Sequence, residues 1–226
     1  MAPIRDQGQR GTCVAFAVTA GHEVSRGPDS NLDDLSEEAL YWGCKTADGN
    51  WDGGTAFTSA ETAIRRWGQP LEASWAYNHG QADGVEIKLP TGSSTNDWFR
   101  SGLRRVSVAV QDLQTFLAAG TPVVLGLRVF DTLFRPGRDG RVQDPLPRAP
   151  QRGLHAVLAV GHEPGSILIR NSWGAGWALA GYGWITEAYI SKFVIDAWIV
   201  DGGASAISGA ASKPASQEQG AIYGSP

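Results

Sequence analysis

The feature that most limits how this chain can fold is a change of hydrophobic period near residue 105. Before it, apolar residues recur at helical spacing; after it, they gather in short runs of branched and aromatic residues divided by turn signals. In the first part, the stretch Cys13-Val14-Ala15-Phe16-Ala17-Val18 is apolar nearly all round, which predicts a buried helix with Thr12 as its cap. Ser36 followed by Glu37 and Glu38 opens a second helix, because acidic groups favour the positive end of the helix dipole. Thr58-Ser59-Ala60-Glu61 has the form of a capping box, and Ala60, Ala63, Ile64 and Trp67 continue it at helical spacing until Gly68 and Pro70 stop it.

In the second part, a helix at about 111–119 ends at Gly120, and strands are predicted over 122–129, 155–160, 166–170, 181–186 and 193–200. Glu163-Pro164-Gly165 is a turn that joins two of them into a hairpin. From Gly202 onward the residues are small and polar, too poor in large apolar groups to pack, which reads as a flexible tail. The expected organisation is therefore α+β: a mainly helical lobe over 1–105, a mainly β lobe over 106–201, and a tail rich in Gly, Ala and Ser over 202–226.

Composition narrows the function classes. With 226 residues, 42% hydrophobic and nine tryptophans, the chain can bury a sizeable core in one domain or in two lobes sharing a cleft. Its formal charge of -4 and the isolation of its basic pairs, Arg65-Arg66 and Arg104-Arg105, argue against nucleic acid as a partner. No apolar run approaches the roughly 20 residues that span a bilayer, so no membrane partner is expected. The start, MAPIRDQ, lacks a signal-peptide core. We therefore expect a soluble protein, cytoplasmic as given, with secretion or delivery as an effector left open. The two cysteines, Cys13 and Cys44, make no disulfide framework, and the four histidines show no metal-ligand spacing, so neither a metal nor a cofactor is expected.

Two further stretches carry chemistry. RDQGQRGTCVAFA places Cys13 behind a glycine-rich turn at the start of the helical run, while GLHAVLAVGHE and then ILIRNSWGAGW place His155, Asn171 and Trp173 in the β part. Taken singly, Cys13 reads as a packed thiol, His155 as a satisfied core histidine, Asn171 as a turn residue and Trp173 as core. Taken together, in this order, they resemble the papain-like cysteine peptidases, whose motifs are Gln-Gly-x-x-Gly-x-Cys-x-Ala-Phe, His-Ala-Val and Asn-Ser-Trp-Gly. His155 and Asn171 follow Cys13 by about 140 and about 160 residues, close to the roughly 130–150 such an arrangement calls for.

The resemblance covers most of 1–201 and implies a papain-like two-lobed fold, with a helical lobe, an antiparallel β-barrel-like lobe and the active-site cleft between them. It implies Cys13 as nucleophile, His155 as acid and base, Asn171 as the group that orients the imidazole, and Gln7 with the Cys13 N–H as oxyanion donors. Trp173 then shields the His155–Asn171 hydrogen bond. Asp52-Gly53-Gly54 looks like the glycine pair, Gly53 and Gly54, whose backbone meets an extended substrate, and Thr55, Ala56 and Phe57 line part of the cleft beyond it.

Departures from the pattern mark a bacterial-type member that lacks the usual disulfides and pro-region. Arg10 and Trp51 stand where many members pair two cysteines, so the cleft wall lacks that covalent brace. Cys44 resembles the family cysteine just after the second helix, but the only other cysteine is Cys13, so Cys44 is expected to be a free buried thiol. Val14 and Leu154 stand where a tryptophan and a small or polar residue are usual. The function implied is a thiol-dependent endopeptidase acting on protein or peptide substrates, as a processing or toxin-like effector module whose further partner is an inhibitor or immunity protein. Two alternatives stay open: a cysteine-dependent acyl transferase or isopeptidase, and a catalytically silent peptide-binding module.

Overall fold

A computed structural model describes residues 2–27, 34–202 and 220–224. Three helices lead: α1 (Cys13–Ser25), α2 (Glu37–Asp48) and α3 (Phe57–Arg66). They are followed by β1 (Leu103–Arg105), α4 (Val110–Ala118), β2 (Val123–Val129), α5 (Asp131–Phe134), β3 (Gly153–Glu163), β4 (Ser166–Arg170), β5 (Tyr182–Thr186), α6 (Glu187–Phe193) and β6 (Val194–Val200). The six strands form one antiparallel sheet in the order β1-β6-β2-β3-β4-β5. This is the expected α+β fold. Its edge strand β1 lies just before residue 106 and pairs with β6 across Leu103↔Val200.

The sheet separates two cores because side chains alternate across it. Val124 on β2, Ala156 and Leu158 on β3, and Trp198 and Val200 on β6 face the helices and pack with α1, α2 and α3. Val123, Leu125 and Leu127, Val157 and Ala159, and Ala197 and Ile199 face the other way, against α4, α5 and α6. Helix α1 sits between the helical lobe and the sheet, and every residue from Cys13 to Glu23 is buried, as its all-round apolar sequence requires.

Of the first three helices, only α2 is closed by its expected side chain. Ser36 caps α2 through its side chain, accepting from the Ala39 N–H. Thr12 occupies the N-cap of α1, but its hydroxyl bonds Tyr77 Oη at 2.8 Å, not the helix. The box expected at Thr58 does not cap α3: the helix begins two residues earlier than that cap implies, at Phe57 with Ala56 as N-cap, and Thr58 lies inside it. The predicted turn at Glu163-Pro164-Gly165 links β3 to β4 with Glu163 opposite Ser166. Helix α6 falls partly in a stretch expected to start a strand; Thr186 caps it by accepting from the Tyr189 N–H.

Of the tail expected over 202–226, residues 203–219 and 225–226 lie outside the described residues. Residues 220–224 pack against the helical lobe, with Tyr223 fully buried in the core that holds α1. No helix among the described residues is long and apolar enough to cross a membrane.

Candidate active site

Cys13 is the first residue of α1, where unpaired backbone N–H groups and the helix dipole favour negative charge. The turn before it is held by Gln7, whose side-chain nitrogen donates to Arg10 O at 2.9 Å. The Gln7 backbone N–H donates to Ser172 O at 2.9 Å, and the Ser172 hydroxyl donates to Gln7 Oε1 at 2.7 Å. An isolated bridge between Asp6 and Trp173 continues this contact. The N-terminal strap is thereby sewn to the loop after β4, and Gln7 comes to lie beside Asn171 and Ser172 although 164 residues separate Gln7 from Asn171 in the chain.

His155 sits on β3, fully buried, with Nε2 2.7 Å from Asn171 Oδ1. The same Oδ1 accepts the Ser172 N–H at 2.8 Å, which fixes the amide with its oxygen toward the ring. An oxygen acceptor requires the imidazole proton to be on Nε2, so Nδ1 carries the lone pair. Among the described residues Nδ1 has no hydrogen-bond partner. The Trp173 ring stacks on His155 with centroids 4.6 Å apart and is backed in turn by Phe134 at 5.2 Å and Trp177 at 6.1 Å. This aromatic wall excludes water from the His155–Asn171 bond and strengthens it by lowering the local dielectric. Trp173, which the resemblance implies both as a substrate-binding residue and as the shield of that bond, lies against the imidazole.

Burial dominates the protonation of both Cys13 and His155. It pushes the Cys13 thiol up to about 12, against backbone hydrogen bonds from Ala156, Val14 and Cys13 itself that favour the thiolate. It pulls His155 down to about 4, against the Asn171 bond that favours the imidazolium. The Ala156 bond sets the Cys13 sulfur against the residue that follows His155. In this state, thiol and imidazole are both neutral, and the thiol donates to Gly224 O at 3.5 Å.

That carbonyl belongs to the segment Gly220–Gly224, which sequence reasoning treated as loose tail. Thr55 and Tyr223 form an antiparallel bridge in which each N–H donates to the other's carbonyl at 2.9 Å. Gly54, at φ +81°, lies beneath it: a Cβ there would come within 2.5 Å of Tyr223 O, so only glycine lets the segment approach. Gly53 instead backs onto the Asp83 carboxylate. Thr55 thus pairs with the segment, and Phe57 packs on its Tyr223 ring. The sequence signal that could have flagged it is Ile222-Tyr223, a large apolar pair in an otherwise small, polar stretch.

At the position of the missing cysteine brace, Arg10 is buried and paired with Glu38, Nη1 to Oε2 at 2.5 Å and Nη2 to Oε1 at 3.1 Å. Cys44 is free and buried.

The family profile for papain family cysteine proteases matches residues 1–197. The chain belongs to the papain family of cysteine proteases. Among relatives of this papain-family chain, cysteine proteinase 3 of Entamoeba histolytica is 30% identical over 188 residues, covering 80% of this chain and 58% of that protein. Papain of Carica papaya is 29% identical over 189 residues, covering 80% of this chain and 50% of that protein. The chain therefore spans little more than half the length of these relatives. Xylellain, a cysteine protease from Xylella fastidiosa, superposes with a TM-score of 0.78 at 26% identity, over 88% of this chain and 82% of that one. The Carica candamarcensis cysteine protease CMS1MS2, solved in complex with E-64, gives a TM-score of 0.67 at 26% identity, over 89% and 93%.

Proposed function

We propose that this papain-family chain is a thiol peptidase that hydrolyses peptide bonds through Cys13, His155 and Asn171, with Gln7 as an oxyanion donor. The observation that carries this reading is the imidazole. Asn171 and Ser172 hold the His155 proton on Nε2, leaving a basic Nδ1 beside the strand residue that touches the Cys13 sulfur.

In the reaction, His155 Nδ1 takes the thiol proton, and the Cys13 sulfur bonds to the scissile carbonyl carbon. The carbonyl electron pair moves to oxygen, where the Cys13 backbone N–H and the Gln7 amide stabilise it; the amide plane is already fixed by Arg10 and Ser172. His155 then returns its proton to the leaving nitrogen, the C–N bond breaks and a thioester remains. Water attacks that thioester with His155 as base, releasing the acid and restoring the thiol.

The test is mass analysis of an unfolded polypeptide, in large excess, incubated with the full chain or with Cys13→Ala. The expected products are fragments whose new acid ends each carry one added water, formed only by the intact thiol. Fragments joined to an added amine would place the chain among acyl transferases, and equal cleavage by both proteins would remove Cys13 from the reaction.

A further inference from the structure

The segment Gly220–Gly224 lies in the cleft in the manner of a bound peptide. Its backbone pairs with Thr55 as an added strand, a mode in which main-chain bonds hold the peptide and alternate side chains select it. The alternation is present: Ile222 points outward and is 58% exposed, whereas Tyr223 is fully buried. The next carbonyl, that of Gly224, rests on the Cys13 thiol.

The hole that receives Tyr223 is shaped for a phenol. Its ring packs on Phe57, with centroids 4.8 Å apart. Its hydroxyl donates to Asp196 Oδ2 at 2.6 Å, while Asp196 Oδ1 takes the Arg105 guanidinium at 2.9 Å, so the carboxylate is anchored on one oxygen and presents the other. Burial and the Asp196 hydrogen bond keep the phenol protonated, well above its ordinary range. The depth of the hole is set by Gly126, the cross-strand neighbour of Asp196 on β2: a Cβ there would stand 2.3 Å from the hydroxyl oxygen and 2.6 Å from the ring carbon that bears it. Any side chain at 126 would fill the space the phenol uses.

We propose that Phe57, Gly126 and Asp196 form a tyrosine-selecting subsite of the cleft, that the preferred peptide is an extended one with tyrosine followed by glycine, and that the chain's own Gly220–Gly224 is such a peptide bound in cis over Cys13. This deepens the peptidase reading and rests on it for the word substrate; the binding itself does not depend on turnover. While the segment is seated, it covers the thiol and holds it in the neutral form that donates to Gly224 O.

The test uses the full chain, with Tyr223→Ala, Tyr223→Phe and Gly126→Ala, and reads the rate at which iodoacetamide labels Cys13, assigned by peptide mass mapping. Removing the anchor or filling its hole unseats the segment, so Tyr223→Ala and Gly126→Ala are expected to label at least ~10-fold faster than wild type, with Tyr223→Phe between them because it loses only a hydrogen bond to a charged group. Tyr223→Phe and Gly126→Ala also stand in if Tyr223→Ala does not fold. Added peptide Ala-Ile-Tyr-Gly-Ser-Pro is expected to protect Cys13 of Tyr223→Ala, and its Phe analogue to need about 10-fold more. Unchanged labelling in the variants, or equal protection by the two peptides, would overturn the proposal and leave Tyr223 a packing residue. Protection without cleavage of either peptide would uphold the subsite and overturn the peptidase reading.

Discussion

Replacing Arg10 by alanine should destabilise the protein out of proportion to the area it removes. Arg10 and Glu38 are 4% and 2% exposed, and the guanidinium grips both carboxylate oxygens. It also donates to Asn78 O at 2.8 Å and lies over the Tyr77 and Tyr41 rings, 4.7 and 5.5 Å from their centroids. Arg10→Ala leaves the Glu38 carboxylate buried with, among the described residues, only the Asn78 N–H to satisfy it. Stranding one member of a buried pair costs about 3–5 kcal/mol. For a chain of this size each kcal/mol moves Tm by about 2–4 °C, so a fall of about 10 °C is expected by calorimetry near neutral pH. The double variant Arg10→Met with Glu38→Leu, which strands no charge, should recover most of the loss. A fall under about 2 °C in the single variant, or no recovery in the double, would refute the view that this ion pair takes over a brace on the cleft wall.

In the proposed mechanism Gln7 is an oxyanion donor, so Gln7→Ala should lower kcat by about 10²–10³ with a smaller effect on KM; a change in KM alone would give Gln7 a binding role instead. His22 is buried against Gln69 Oε1 at 2.9 Å, and burial pulls it down to about 4 despite that bond. The unfolded chain therefore binds the proton more readily, and the stability His22 confers is complete above its unfolded value of about 6.5 and lost as pH falls from there toward 4. Denaturant melts of wild type and His22→Leu should show wild type losing up to about 3 kcal/mol relative to the variant across that window; a flat difference would refute it.

How much of this was legible in the sequence depends on how far apart the partners lie. Strand β4 was placed to the residue, because Ser166–Arg170 is a compact apolar run that begins directly after the Pro164-Gly165 turn. Ser36 caps α2 with a bond three residues long. Thr12 and Thr58 carried equally good local signals that long-range pairing overrode. Tyr77 takes the Thr12 hydroxyl, and α3 starts just after Thr55, which spends both its backbone groups on Tyr223.

 Motif order was enough to gather Gln7, Cys13, His155, Asn171 and Trp173. It could not show that Asp196 and Gly126, on neighbouring strands, close around a tyrosine from the end of the chain, since each is an ordinary strand residue until the register across the sheet is known. Arg10 was visible as a missing cysteine, but its partner Glu38 was not.

The most direct measurement of the central claim is the rate of Cys13 alkylation from about pH 4 to 9, a range that brackets perturbed and free thiols. It would be made on wild type and on Tyr223→Ala, each with and without His155→Ala. With the cleft open in Tyr223→Ala, labelling should persist well below the free-thiol value of about 8.5 and be lost when His155 is removed. In wild type, where burial pushes the thiol up to about 12, labelling should be slow throughout. If Cys13 in the open cleft instead gains reactivity only near about 8.5, with or without His155, the thiol has no activating partner and the account of this site is wrong.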